Sequence, residues 1–118
     1  MNPDTLKFLF DISDSIKIIE SYLERIPNLA SYKSDLRNID AIERRLAIIG
    51  EALNKADKLT AGLLISDKNK IIGLRHMLIH DYDLIESEAI WIICNKNLPI
   101  LKNEVQKIID GYGAKGQE

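Results

Sequence analysis

Residues 40–56 read DAIERRLAIIGEALNKA, and this stretch decides the fold. At about 100° per residue, Ile42, Leu46, Ile49, Leu53 and Ala56 fall on one face, with Arg44, Glu51 and Lys55 opposite. One apolar stripe and one charged stripe describe a helix that packs by one side. The pattern predicts a long helix over about residues 39–59. Asp40 and Glu43, three residues apart, predict an approximate capping box at its start. Arg45 falls near the apolar face, beside Ile49 and Ala52, and Glu51 is spaced for a solvated i,i+4 pair with Lys55.

The same period runs outward in both directions. Upstream, Asn2 and Pro3 suit the cap and first turn of a helix over about 4–25. Its apolar face is Leu6, Leu9, Phe10, Ile12, Ile16, Ile19 and Leu23, and Pro27 ends it. Residues 28–37 form a connector with a short helical turn. Downstream, a loop around Gly62 leads to a third helix, capped by Ser66 or Asp67 and running to about residue 81. A fourth begins near Glu86 and reaches about Ile109. Pro99 kinks it or divides it after Asn97, and Gly111-Tyr112-Gly113 stops it. No repeat, low-complexity segment or strand pattern interrupts this series. The expectation is an all-α fold: an up-down antiparallel four-helix bundle with a short extra helical turn. It is a single domain over 1–118, with a flexible tail from about residue 110.

Composition sets limits on function. The chain has 118 residues, 46% apolar and 29% charged, enough for one core but not for a separate substrate domain. An elaborate site would need a second subunit. A net charge of −2 and a pI near 5.7 argue against a high-affinity, non-specific nucleic-acid coat, while a local basic strip leaves RNA open as a substrate. Cys94 is the sole cysteine, so no intrachain disulfide forms, which suits a reducing cytosol. The N-terminal stretch carries Asp4, Asp11 and Asp14 and has no basic start and no continuous apolar run, unlike a signal peptide. No stretch approaches the length of apolar chain that spans a membrane. A cytoplasmic protein is expected.

The chemistry concentrates in residues 73–82, GLRHMLIHDY. On a helix, Ile71, Ile72, Leu74, Met77, Leu78 and Ile79 make a wide apolar face with Arg75 inside it. Tyr82, seven residues on, nearly eclipses Arg75. His76 and His80 lie on the other side with Asn69 and Gly73. Burying an arginine is costly unless its guanidinium finds partners. Arg75 therefore either snorkels into a structural ion pair or faces a cleft, where its fork can hold a phosphate. Gly73 allows either tight helix packing or the close approach of a phosphate backbone or partner helix. His76, His80 and Asp83 give a weak metal pattern, without the glutamate of a zincin. No metal and no cofactor are expected. Trp91 and Cys94, three apart, read as core.

Arg75, four residues, His80, one residue and Tyr82 match the R-x4-H-x-Y motif, and the chain resembles the HepT-like toxins of the HEPN superfamily. Glu43-Arg44-Arg45-Leu46-Ala-Ile-Ile-Gly50-Glu51-Ala52 looks like that family's second-helix signature. Leu74-Arg75, Trp91 and Leu98-Pro99-x-Leu101 also fit, so the resemblance covers roughly residues 4–110. Two departures stand out. Ser66-Asp-Lys-Asn-Lys70 replaces a common aromatic segment, and His76 replaces a common asparagine.

The resemblance implies a metal-independent endoribonuclease, active as a homodimer that can assemble further, with the motifs of two subunits lining one cleft. It implies Arg75 and His80 as the catalytic pair. Supporting candidates are His76, Asp81, Arg45, Glu51 and Gly73. It also implies a toxin–antitoxin pair in which a cognate minimal nucleotidyltransferase (MntA-like) antitoxin nucleotidylates Tyr82 with AMP. The alternative is a non-catalytic nucleotide- or protein-binding module beside a nucleotidyltransferase. On an ideal helix Arg75 and His80 project about 140° apart, so a shared site requires local unwinding, a wrapping cleft or a second chain.

Overall fold

The computed structural model describes residues 1–80 and 87–116, and the side chains of all of these except 79, 80 and 114–116. Helix α1 spans Pro3–Leu23, and Asn2 Oδ1 accepts from Asp4 N at 2.8 Å, as its sequence predicts. The connector supplies the expected short turn, α2 (Leu29–Lys33), where Asn28 Oδ1 accepts from Ser31 N at 2.9 Å. Helix α3 spans Leu36–Leu59. It starts three residues ahead of the expected position because the cap is Asp35, not the Asp40/Glu43 box. Asp35 Oδ1 accepts from Asn38 N at 3.2 Å, and Asn38 Nδ2 donates to Asp35 Oδ2 at 2.7 Å. Two bonds from one residue outcompete a box that would leave the preceding turn without a cap.

Asp40 and Glu43 therefore lie inside α3, and Glu43 is half-buried. Burial, reinforced by the Asp40 carboxylate, raises its pKa above the ordinary glutamate value. A carboxyl raised in the folded state binds more protons folded than unfolded, so this group's contribution to stability falls as pH rises through the window between the two values. Glu43→Gln is expected to raise Tm at neutral pH relative to wild type. The gap should close as pH falls below the carboxylate range. Thermal melts across pH check both signs.

Helix α4 spans Lys68–His80. The Asp67 carbonyl accepts its first helical bond from Ile71 N at 3.0 Å, while the Asp67 carboxylate is held by Asn97 Nδ2 at 2.9 Å. The chain resumes in α5 (Ser87–Ile92), widens into a π turn at Ile93–Asn97, and continues as α6 (Leu98–Gly116). Leu98 N bonds to the carbonyl of Ile93, five residues back. Pro99 has no N–H, and its ring would crowd the Asn95 carbonyl of a regular turn. The wide turn just ahead relieves that clash. The helix does not divide after Asn97 as one expectation had it; the chain stays helical from Ser87 to Gly116, with the π turn ending at Asn97.

The Gly111-Tyr112-Gly113 segment does not stop α6, which runs through it to Gly116. Tyr112 is half-buried and lines a hollow with Met1, Lys107 and Ile108, so packing outweighs the glycines' poor helix propensity.

Side-chain ties fix the directions. Thr5 Oγ1 and Thr60 Oγ1 meet at 2.8 Å, joining the start of α1 to the end of α3. Lys68 Nζ reaches Asp57 Oδ1 at 2.8 Å, joining the start of α4 to the end of α3. Lys102 Nζ reaches Glu20 Oε1 at 2.8 Å, joining the start of α6 to the end of α1. These are antiparallel neighbours. Helix α3 is central, with α1 and α4 against it and α6 against α1, in a body of 50 × 28 × 20 Å. The result is the expected all-α bundle, whose fourth member is interrupted.

The core joins Leu9, Ile12, Ile16 and Ile19 of α1 to Ile42, Leu46, Ile49 and Leu53 of α3, all at most 1% exposed. Helix α4 adds Ile71 and Leu74, and α6 adds Leu101 and Val105. Each such side chain contributes about 1.5–3 kcal/mol through burial. Phe10 and Met77, expected on apolar faces, are instead 46% and 41% exposed. Each sits at the edge of a core-facing stripe narrower than the sequence pattern suggests. Cys94 is buried, which pushes its thiol up to about 12. Trp91 is half-buried and packs on fully buried Tyr32 with ring centroids 5.6 Å apart.

Candidate active site

The crossing of α3 and α4 is set by Gly50. A Cβ there would lie 2.9 Å from the Ile71 carbonyl oxygen, 3.1 Å from Arg75 Cβ and 3.2 Å from Arg75 N. Two of these three atoms are backbone, so no side-chain rotation would relieve the contact. Gly50 lets α4 rest on α3 at the turn that carries Arg75. Tight helix packing was one of the two readings open for Gly73, where a Cβ would meet nothing within 4 Å among the described residues. Which glycine sits at the crossing depends on helix register, which the linear pattern does not encode.

Arg75 thus has its Cβ pressed on α3 and its head at the surface. Its Nε lies 3.9 Å from Glu51 Oε2, with the two side chains 44% and 46% exposed. The distance is too long for a hydrogen bond, and exposure limits such a pair to about 0–1 kcal/mol. Glu51 also makes the expected pair with Lys55, Oε1 to Nζ at 3.4 Å. Lys55 Nζ in turn stands 5.6 Å from the centroid of the Phe8 ring. A line of alternating charge therefore runs from α4 across α3 to α1. Both readings of Arg75 are met in part: it snorkels beside an acid, and its guanidinium stays accessible to an anion.

Arg44 was missed as a candidate. It is exposed, and seven residues before Glu51 it shares that stripe of α3. The signal was present, since Arg44 and Glu51 already fall together on the polar face. Arg45, by contrast, projects about 120° from Glu51 and is half-buried. The structure does not bring it to Arg75.

His80 ends α4. Five residues beyond Arg75 it stands about 7.5 Å further along the axis. In the antiparallel register that is the level of residues 44–46 on α3. Its side chain, and Asp81, Tyr82 and Asp83 entirely, lie outside the described residues. His76 and Gly73 are exposed on α4. Among the described residues no three His, Cys, Asp or Glu side chains gather to hold a metal, and no helix is long and apolar enough to cross a membrane.

With this geometry in place, residues 12–108 match the family model described as "Ribonuclease HepT-like". The chain belongs to the HepT-like ribonuclease family. Two relatives come from Methanocaldococcus jannaschii. One, named "Putative RNase MJ1216", is 30% identical over 120 residues, covering 97% of this chain and 88% of the relative. The other, named "Gamma-glutamylcyclotransferase and putative RNase MJ0434", is 29% identical over 111 residues and 93% of this chain. This chain spans 50% of that second relative's length. No solved structure gives a significant match.

Proposed function

We propose that the chain is a metal-independent endoribonuclease that acts as the toxin of a toxin–antitoxin pair. The observation that supports this best is Arg75, seated on Gly50 with its guanidinium exposed, within a segment that matches the ribonuclease family. Cleavage needs a base for the RNA 2′-hydroxyl, a stabiliser for charge on the phosphorus oxygens and an acid for the leaving 5′-oxygen. The 2′-oxygen attacks phosphorus, the P–O5′ bond breaks, and a 2′,3′-cyclic phosphate and a 5′-hydroxyl result. Arg75 clamps the phosphoryl oxygens. His80 moves protons, and a histidine's ordinary pKa near 6.5 suits that role at neutral pH. In a homodimer the partner's His80 supplies the complementary transfer. Tyr82 is the regulatory residue: on a nucleotidyltransferase antitoxin its phenol oxygen attacks the α-phosphorus of ATP, pyrophosphate leaves with the broken P–O bond, and the AMP left on Tyr82 brings negative charge that repels RNA.

The test is cleavage of RNA by the purified protein in EDTA, before and after separate treatment with a minimal nucleotidyltransferase, ATP and magnesium. Cleavage should persist in EDTA and fall as an AMP increment appears on Tyr82. Tyr82→Phe should stay active and unmodified. Loss of activity in EDTA, or an increment mapped elsewhere, overturns the corresponding half of the reading.

A further inference from the structure

Gly73 occupies the middle of α4, and no contact among the described residues requires a glycine there. Its backbone needs no positive φ, since Gly62 is the glycine that has one, and a Cβ at Gly73 would touch nothing within 4 Å. A glycine in a helix interior weakens it relative to alanine. Gly111 and Gly113 are equally open, but they lie in the last two turns of α6, where fraying makes a glycine cheap.

The neighbours of Gly73 one turn away in each direction are Asn69, Lys70, His76 and Met77, and all four are exposed. They surround a bare patch of backbone with a cation, two polar side chains and a flexible thioether. Helix α4 as a whole carries Lys68, Lys70 and Arg75 and no carboxylate, in a chain whose net charge is −2. Lys68 is engaged by Asp57, which leaves Lys70 as the lysine of this face among the described residues.

We infer that the face of α4 centred on Gly73 is a subsite for a flanking nucleotide of single-stranded RNA. There Lys70 holds a backbone phosphate, and the missing Cβ admits the sugar-phosphate chain against the helix. This rests on the ribonuclease reading for its ligand. A second copy of the chain fits the face less well, because α4 carries no carboxylate and a two-fold contact through it would offer Lys70 no acidic partner from the facing helix. A polyanion meets Lys70 on a helix that carries no carboxylate.

The test measures binding of a 2′-O-methyl RNA oligonucleotide, which cannot be cleaved, to the full chain by fluorescence anisotropy. Gly73→Ala should raise Tm by about 2–5 °C. Gly73→Leu keeps helix propensity but fills the patch, and should weaken binding by about tenfold or more. The matched Gly111→Leu should leave affinity unchanged. Lys70→Gln should flatten the slope of log affinity against log salt by about 0.7, the release expected for one phosphate of a single strand. Unchanged affinity in Gly73→Leu overturns the subsite. So does a change in its oligomeric mass, which would assign the face to a second copy. If wild type binds the oligonucleotide in this pattern yet cleaves no RNA, the subsite stands and the ribonuclease reading falls. If wild type does not bind it at low salt, the subsite falls.

Discussion

Arg75→Ala is expected to lower RNA cleavage by about 10²–10³-fold, the loss typical of removing one transition-state charge donor. The same change should move stability by less than about 1 kcal/mol, because its ion pair with Glu51 is half-exposed and long. The disparity is the point of the experiment. A structural arginine would show the reverse, since removing one partner of a buried pair costs about 3–5 kcal/mol. Arg75 Nε is 3.9 Å from Glu51, and both side chains are about half open to solvent, so that penalty does not arise. Arg75→Lys keeps the charge but loses the two-pronged grip on phosphate, and should recover a minor part of the rate. His80→Ala should cost about 10²–10⁴-fold, as expected for the loss of a general acid or base. Initial rates on one RNA, with chemical denaturation of each variant, decide the matter. Wild-type rates in Arg75→Ala or His80→Ala would remove that residue from the mechanism.

How much of this was legible in the sequence depends on range. Features fixed within one or two turns were readable. Asn2 and Pro3 mark the start of α1, the Ile42-to-Ala56 stripe fixes the buried face of α3, and Pro99 marks the irregular turn that ends at Asn97. Where two local signals competed, sequence was a weaker guide. Asp35 and Asp40 both offer a carboxylate ahead of a helix, and the second bond from Asn38 decides for Asp35. Features set by packing were not readable. Tyr112 carries α6 past two glycines, and Phe10 and Met77 fall outside stripes that the burial of their neighbours makes narrow. At the site, the pairing of Glu51 with Lys55 followed from spacing four, but its contact with Arg75 crosses between helices. Arg45 was the arginine of α3 that its sequence favoured, whereas the contact of Glu51 with Arg75 points to the stripe that holds Arg44.

That crossing point carries the second large effect. Gly50→Ala is expected to destabilise the fold by about 1–3 kcal/mol, the range for inserting a methyl into a packed contact. The gain in helix propensity, about 0.5–1 kcal/mol, offsets only part of it. The obstacle is backbone: a Cβ at Gly50 stands 2.9 Å from the Ile71 carbonyl oxygen and 3.2 Å from Arg75 N. Relief requires α4 to move away from α3, and Arg75 moves with it. A misplacement of about 1 Å at a reacting centre can cost about 10²-fold in rate, so cleavage should fall well below what the lost stability alone would cause at temperatures where the variant stays folded. The comparison with Gly73→Ala makes the claim sharp. The same substitution in two packed helices should carry opposite signs in Tm, down at residue 50 and up at residue 73. Denaturation of the two variants in parallel checks it. A Gly50→Ala protein as stable as wild type would mean that α4 does not rest on α3 there, and Arg75 would lose the support that aims it.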